Sequence, residues 1–339
     1  MKSVHLVIPN LFLPKDFAAE VCADLRLPAL EKLLSRGAST GLARTGGTSL
    51  ENHLCELFGV TCQADAPVAA ISAAFDGLEE GIWLRADPVH LRLQRDQMLL
   101  MPNLEISADE AGQLCTSLNA HFAGQGMEFF APHPLRWYVR LNALPDIETV
   151  PLSQVYGRAV QGLLPKGKDA LHWHQVFNEI QMLLFAHPLN EARETRGQLT
   201  VNSVWLWGGG LEAPSLSANY DYINSDEVLV KMFAAAANIT FVEWQAQWRE
   251  TENAANQLLV WTGLHSALQS GDLATWRAAL QDFETGYAQP LWQALCSGKI
   301  AKLQLDILGV KSMRCVLLTR GDAWAFWRRS GRLVKYSIV

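Results

Sequence analysis

Two adjacent hydroxyls, Thr48 and Ser49, stand where a side chain could do chemistry. The Gly46-Gly47 pair leads into them, and a helical pattern with Leu50, Leu54 and Leu57 follows. Either hydroxyl is a good N-cap for that helix. As a nucleophile, a hydroxyl needs a base or a metal beside it. The His172-Trp173-His174 triplet places its two imidazoles on opposite sides of a helix, so a shared metal is not expected; His174 shares a face with Asn178. The cysteines (Cys22, Cys55, Cys62, Cys115, Cys296 and Cys315) are scattered and form no CxxC pair. In a chain of this size they read as reduced core thiols without chemistry.

The stretch from His187 to Gly210, HPLNEARETRGQLTVNSVWLWGGG, is the most informative. A charged, helix-friendly run, Glu191 to Arg196, stops at Gly197. Val201 to Trp207 then reads as a short strand buried on both faces. Three glycines follow, letting the backbone turn tightly or approach another group closely. In an open α/β sheet, the loop at the carboxyl end of a strand is where ligands sit.

These residues need elements to position them. Val4 to Ile8 reads as a first buried strand ending at Pro9-Asn10, and Pro28 to Arg36 as a helix stopped by Gly37. From Pro67 to about Leu141 the character changes to strands around Ile82–Leu84, His90–Leu93, Met98–Met101, Met127–Phe130 and Trp137–Leu141. One helix lies among them, from Ser107 to Phe122, and Ser107 with Glu110 forms a capping-box pattern. Further on come helices at Leu171–Phe185 and Glu227–Ala237, strands at Thr240–Trp244 and Gln257–Thr262, a long helix from Leu273 to Leu295, and a strand at Lys302–Leu308. The expected architecture is α/β, with a core domain from residues 1–75 and 145–339 and a small inserted α+β domain at 76–144.

Composition narrows the function. The 339 residues are 49% hydrophobic and 18% charged, enough for a sizeable core. A net charge of −6 without a basic run argues against a nucleic-acid partner or a polybasic membrane anchor. No apolar run reaches the roughly 20 residues of a membrane span. The start, MKSVHLVIPN, is broken too early to be a signal peptide, so the cytoplasm is expected.

The 187–210 stretch resembles the HPxN…R…G…xN-hydrophobic-WxWGxG segment of the archaeal-type, cofactor-independent phosphoglycerate mutases of the alkaline phosphatase superfamily. The shared positions are His187, Pro188, Asn190, Arg193, Gly197, Asn202, Trp205, Trp207, Gly208 and Gly210. The resemblance implies an alkaline-phosphatase-like central, mostly parallel sheet flanked by helices. It also implies a catalytic hydroxyl at the Thr48-Ser49 turn, where a helix N-terminus would favour a phosphoryl group. GIWLRADPVHLRLQ resembles a segment of the mutase insert, with Arg92 at the family's arginine and Gln94 replacing its asparagine.

The resemblance also shows what has been replaced. Asn10 stands where the first strand delivers a metal-binding aspartate. His265 stands at a metal-binding aspartate and Gln269 at a metal-binding histidine. Asp306 is retained, but Ile307 replaces its histidine partner. Two-metal phosphoryl transfer needs that set to stabilise phosphoryl oxygens and activate the nucleophile, and the survivors are too few for two divalent ions. The expectation is therefore no metal, remnant positions at Asn10, His265, Gln269 and Asp306, and a non-catalytic regulatory or ligand-binding protein. The full-length pattern with its FWRR ending also resembles the bacterial regulatory-protein family RpfE, which would supply a regulatory protein partner. Arg44, Arg92, Arg193 and Asn202 are the candidate contacts to a phosphorylated or acidic metabolite, because guanidinium forks suit phosphate. The alternative is an active mutase or phosphatase with relocated ligands for a divalent metal such as Mn, Zn or Mg.

Overall fold

The structure is a computed structural model describing residues 2–43, 49–62, 66–210, 216–251, 254–309, 312–325 and 327–336. Arg44 and Thr48 lie outside the described residues. The chain divides into two compact units, Met1–His53 with Ala218–Val339, and Leu54–Ser217. Residues 76–144 fall within the second unit.

Among the described residues, twelve strands are defined: β1 (Ser3–Pro9), β2 (Ala38–Ala43), β3 (Ile82–Gln94), β4 (Gln97–Met101), β5 (Met127–His133), β6 (Arg136–Leu141), β7 (Ser203–Gly210), β8 (Tyr222–Ser225), β9 (Thr240–Glu243), β10 (Asn256–Val260), β11 (Lys302–Leu308) and β12 (Ser312–Thr319). The first unit is built on a seven-stranded sheet in the order β2-β12-β11-β1-β10-β8-β9. From β11 to β9 every pairing is parallel; β12 and β2 add an antiparallel edge. This is the central, mostly parallel sheet with flanking helices that the sequence led us to expect.

Strand alternation decides which side chains do what. Val4, Leu6 and Ile8 of β1 join Leu303, Leu305 and Ile307 of β11 and Leu259 of β10 in one buried core with the helix Pro28–Arg36 and the helices after β10. The neighbouring positions, His5 in β1 and Gln304 and Asp306 in β11, therefore belong to the opposite face; β1 and β11 run in parallel with Val7 level with Asp306.

The expected long helix Leu273–Leu295 is interrupted. It runs Leu273–Phe283, widens into a π-helical turn at Glu284–Ala288, and continues as Gln289–Ser297. Pro290 causes this: proline has no N–H to give to the carbonyl four residues back, and its ring crowds that carbonyl. The freed Gly286 carbonyl accepts from Trp248 N at 2.8 Å. The turn places Glu284 so that its carboxylate accepts from Ala29 N (2.7 Å) and Leu30 N (3.0 Å), at the positive end of the helix Pro28–Arg36.

The second unit is an antiparallel sheet, β4-β3-β6-β5, with β7 beside β3. β3 runs unbroken through Asp87-Pro88, where the sequence suggested two strands. Pro88 is tolerated because β6 pairs only with residues up to Arg85 and β4 only from His90 onward, so β7 is the one strand beside it. The Ser107 capping box is formed, with Glu110 N to Ser107 Oγ at 3.2 Å and Ser107 N to the Glu110 carboxylate at 3.0 Å.

The β7 stretch needs correction. It is buried as expected, but it pairs antiparallel with β3 in the second sheet, so the carboxyl-end rule for parallel α/β sheets does not apply to its glycines. Their role is close approach. Gly208 has φ 71°, and a Cβ there would meet Val68 Cγ2 at 2.7 Å; one on Gly210 would meet Pro67 Cβ at 2.5 Å. Glycine lets β7 lie against the start of the helix Val68–Phe75. Among the described residues, no helix is long and apolar enough to cross a membrane, and none of the six cysteines forms a disulfide.

Candidate functional site

The sequence-predicted residues separate into three groups. The motif residues of the 187–210 stretch build the second unit. His187 caps the helix Pro188–Thr195 by accepting from Leu189 N at 3.2 Å, and its Nε2 lies 2.9 Å from Ser117 Oγ. Asn190 ties Leu184 O, Val201 O and Val201 N together at 2.7–2.9 Å. Asn202 makes a two-way bridge to the Leu91 backbone. Arg193 is 1% exposed; its guanidinium donates to Leu199 O, the Glu110 carboxylate and Glu105 O. Neither Arg193 nor Asn202 offers these groups to a ligand. Arg92 is exposed near the end of β3. Ser49 is buried, and its Oγ accepts from Asn52 N at 3.1 Å, an N-cap to the helix Leu50–Leu57.

The second group, Asn10, His265 and Gln269, does come together. Asn10 follows β1 with φ 58°, in the left-handed region that asparagine tolerates better than most residues. Its Nδ2 is 3.2 Å from His265 Nδ1, and Gln269 Nε2 is 2.6 Å from His265 Nε2. A neutral side-chain amide thus lies against each ring nitrogen. Burial pushes the His265 imidazole pKa down, favouring its neutral form. This trio contains no carboxylate, and two neutral amides with one imidazole do not fit half of a dinuclear centre.

Asp306 is not stranded, as the sequence suggested. It meets two histidines that motif comparison missed. His5 Nε2 is 2.7 Å and His53 Nε2 3.1 Å from the same oxygen, Oδ2. The side chains are 11% (His5), 3% (His53) and 2% (Asp306) exposed. Tyr220 Oη lies 2.7 Å from His5 Nδ1, and Gln304 Nε2 donates to both Asp306 oxygens at 3.2 Å. Burial alone would raise the Asp306 pKa. The hydrogen bonds and charges of the two imidazoles outweigh it and hold the carboxyl well below the usual range. Burial, with the Asp306 charge nearby, pushes the Tyr220 phenol up. The ligand-capable atoms of His5, His53 and Asp306 lie within 4.8 Å of one another, so the three could hold a cation.

The signal for His5 was there: one polar residue inside the apolar run Val4–Ile8, facing away from Leu6. His53 had none beyond its place one helical turn after Ser49.

No protein-family model matches the chain. The 2,3-bisphosphoglycerate-independent phosphoglycerate mutase of Methanosarcina mazei is 26% identical over 202 residues, 57% of this chain and 50% of that protein. The probable enzyme of the same name from Geobacter sulfurreducens is 25% identical over 212 residues, 58% of this chain and 51% of that protein. The chain spans about half the length of these curated relatives. Among solved structures, the cofactor-independent phosphoglycerate mutase of Thermoplasma acidophilum superposes with a TM-score of 0.50 at 13% identity, covering 100% of this chain and 96% of that one. The PH0037 protein of Pyrococcus horikoshii gives 0.53 at 12%, covering 99% and 92%. At such identities the structures speak to the fold alone. The chain has the alkaline-phosphatase-like α/β fold of cofactor-independent phosphoglycerate mutases, and its sequence supports homology to them.

Proposed function

We propose that this chain is a mutase-like protein that does not carry out two-metal phosphoryl transfer and acts instead in binding or regulation, with a phosphorylated or acidic metabolite as ligand. One observation carries the reading: Asn10, His265 and Gln269, where the mutase pattern puts metal ligands, come together without a carboxylate. A dinuclear centre stabilises the phosphoryl oxygens and the nucleophile with two adjacent cations. Amides and one neutral imidazole cannot replace the anionic oxygen ligands that hold them. The resemblance to the bacterial RpfE family supports a regulatory protein partner, and the reduced thiols a cytoplasmic setting. Of the candidate ligand contacts, Arg92 keeps an exposed guanidinium for an anion.

A second reading, an active mutase or phosphatase with relocated ligands, is favoured by His5 and His53 standing beside Asp306. The test is turnover of phosphoglycerates and of a generic phosphomonoester by purified protein supplied with Mn, Zn or Mg. We expect no turnover above background. Metal-dependent turnover that disappears in Asp306→Asn would establish the second reading instead.

A further inference from the structure

We propose that His5, His53 and Asp306 form a binding site for a single divalent transition-metal ion, with zinc as the reference ion. This goes beyond the functional reading, because two of the three side chains occupy positions that the mutase pattern does not use.

The geometry distinguishes the cluster from a simple buried ion pair. Two neutral imidazoles satisfying one carboxylate would be expected to take an oxygen each. Here both Nε2 atoms converge on Oδ2, at 2.7 and 3.1 Å, while Gln304 Nε2 lies 3.2 Å from each oxygen. Metal bonds of about 2.0–2.2 Å to imidazole nitrogen and carboxylate oxygen put neighbouring ligands roughly 3.3 Å apart in a tetrahedron. The two contacts need to open by about 0.6 and 0.2 Å, and the two imidazole nitrogens, within 4.8 Å of each other, to settle at a similar spacing, as the cation replaces the N–H protons. The surroundings match what metal-binding histidines need. Tyr220 meets the remote Nδ1 of His5 and so orients the ring, while Gln304 orients the carboxylate.

The donor set selects the ion. Two imidazoles and one carboxylate suit zinc, cobalt or iron, whereas magnesium and calcium prefer all-oxygen shells. Three protein ligands leave a fourth position for water or an anionic ligand, as in open zinc sites.

The experiment is titration of chelator-stripped, full-length protein with zinc, cobalt and magnesium. Calorimetry reads affinity and stoichiometry, and visible absorption reads the cobalt coordination. We expect one zinc per chain, d–d bands for cobalt and no comparable binding of magnesium. His53→Ala and Asp306→Asn should each weaken zinc binding by more than about tenfold, and Tyr220→Phe by about tenfold. Gln269→Ala, in the neutral trio, should leave affinity unchanged. If His53→Ala does not fold, His53→Gln, which keeps side-chain bulk, carries the same comparison. No stoichiometric zinc on the wild-type protein, or binding unaltered by the His53 and Asp306 substitutions, overturns the proposal. The absence of phosphoglycerate turnover bears on the functional reading and not on this one.

Discussion

The two units bury carboxylates in opposite ways. In the second, Asp87 is gripped by Arg85 through Nε at 3.1 Å and Nη2 at 2.7 Å, and it also accepts from Trp207 Nε1 (2.8 Å) and Trp137 N (3.2 Å). The Arg85 guanidinium in turn sits over the Tyr138 and Trp207 rings, 5.2 and 5.1 Å from their centroids. Nearby, Asp76 takes a two-pronged contact from Arg136 and a hydroxyl from Tyr138. Each is a closed network built on a guanidinium, which stays charged at any physiological pH and cannot coordinate a metal. In the first unit, Asp306 is held by imidazoles, whose nitrogens can exchange a proton for a cation. A buried charge held by arginine is a structural element; one held by histidine can be a site.

Breaking the arginine network should have the largest effect. Asp87→Ala leaves Arg85 buried without its anion and removes the acceptor of two further donors, which should cost about 3–5 kcal/mol. Urea denaturation reads it; a loss below about 1 kcal/mol would mean that the network is not closed. Asp306→Asn should cost less, about 1–3 kcal/mol, because the imidazoles it leaves can be neutral. If it costs more than Asp87→Ala, the contrast fails. Ser107→Ala, a cap remote from either carboxylate, should cost about 1 kcal/mol and sets the scale.

Acid should have the smallest and most localised effect. Burial raises the Asp76 pKa, but hydrogen bonds from Arg136 and Tyr138 and the Arg136 charge bring it below the ordinary value. A depressed folded pKa means that the stabilisation is complete above the unfolded pKa of about 3.9 and is lost as pH falls through the folded value. Asp76 should therefore contribute no slope between about pH 5 and 8 and a loss below about 4. Thermal unfolding of Asp76→Asn against wild type across that range checks it: the variant should show a shallower acid limb.

Much of the fold could be read from the sequence. The alternation in Val4–Ile8, the Ser107–Glu110 box and the periodicity of Lys302–Leu308 are local signals, and the elements form where those signals lie. The errors came where a distant contact decides. Pro88 read as a strand break because the sequence does not show that β6 and β4 leave a gap beside it. Pro290, inside an otherwise helical run, marked the π-turn, but only Trp248 N reaching Gly286 O makes that turn affordable. The most family-like stretch, 187–210, turned out to position the second unit rather than to form a site: motif-matching polar residues such as Asn190 and Arg193 are there to satisfy backbone. The site residues behaved oppositely. His5 and His53 match no motif, and only sheet register and helix placement bring them to Asp306, which is information a linear pattern does not hold.

On the proposals above, Asp306 with His5 and His53 holds one cation, and the neutral trio of Asn10, His265 and Gln269 holds none. Anomalous diffraction at the zinc edge, from crystals grown with zinc, tests it most directly. One peak is expected, bounded by His5, His53 and Asp306, and none beside Asn10, His265 and Gln269. Two peaks a few ångströms apart, with Asn10 or His265 as a ligand, would contradict it.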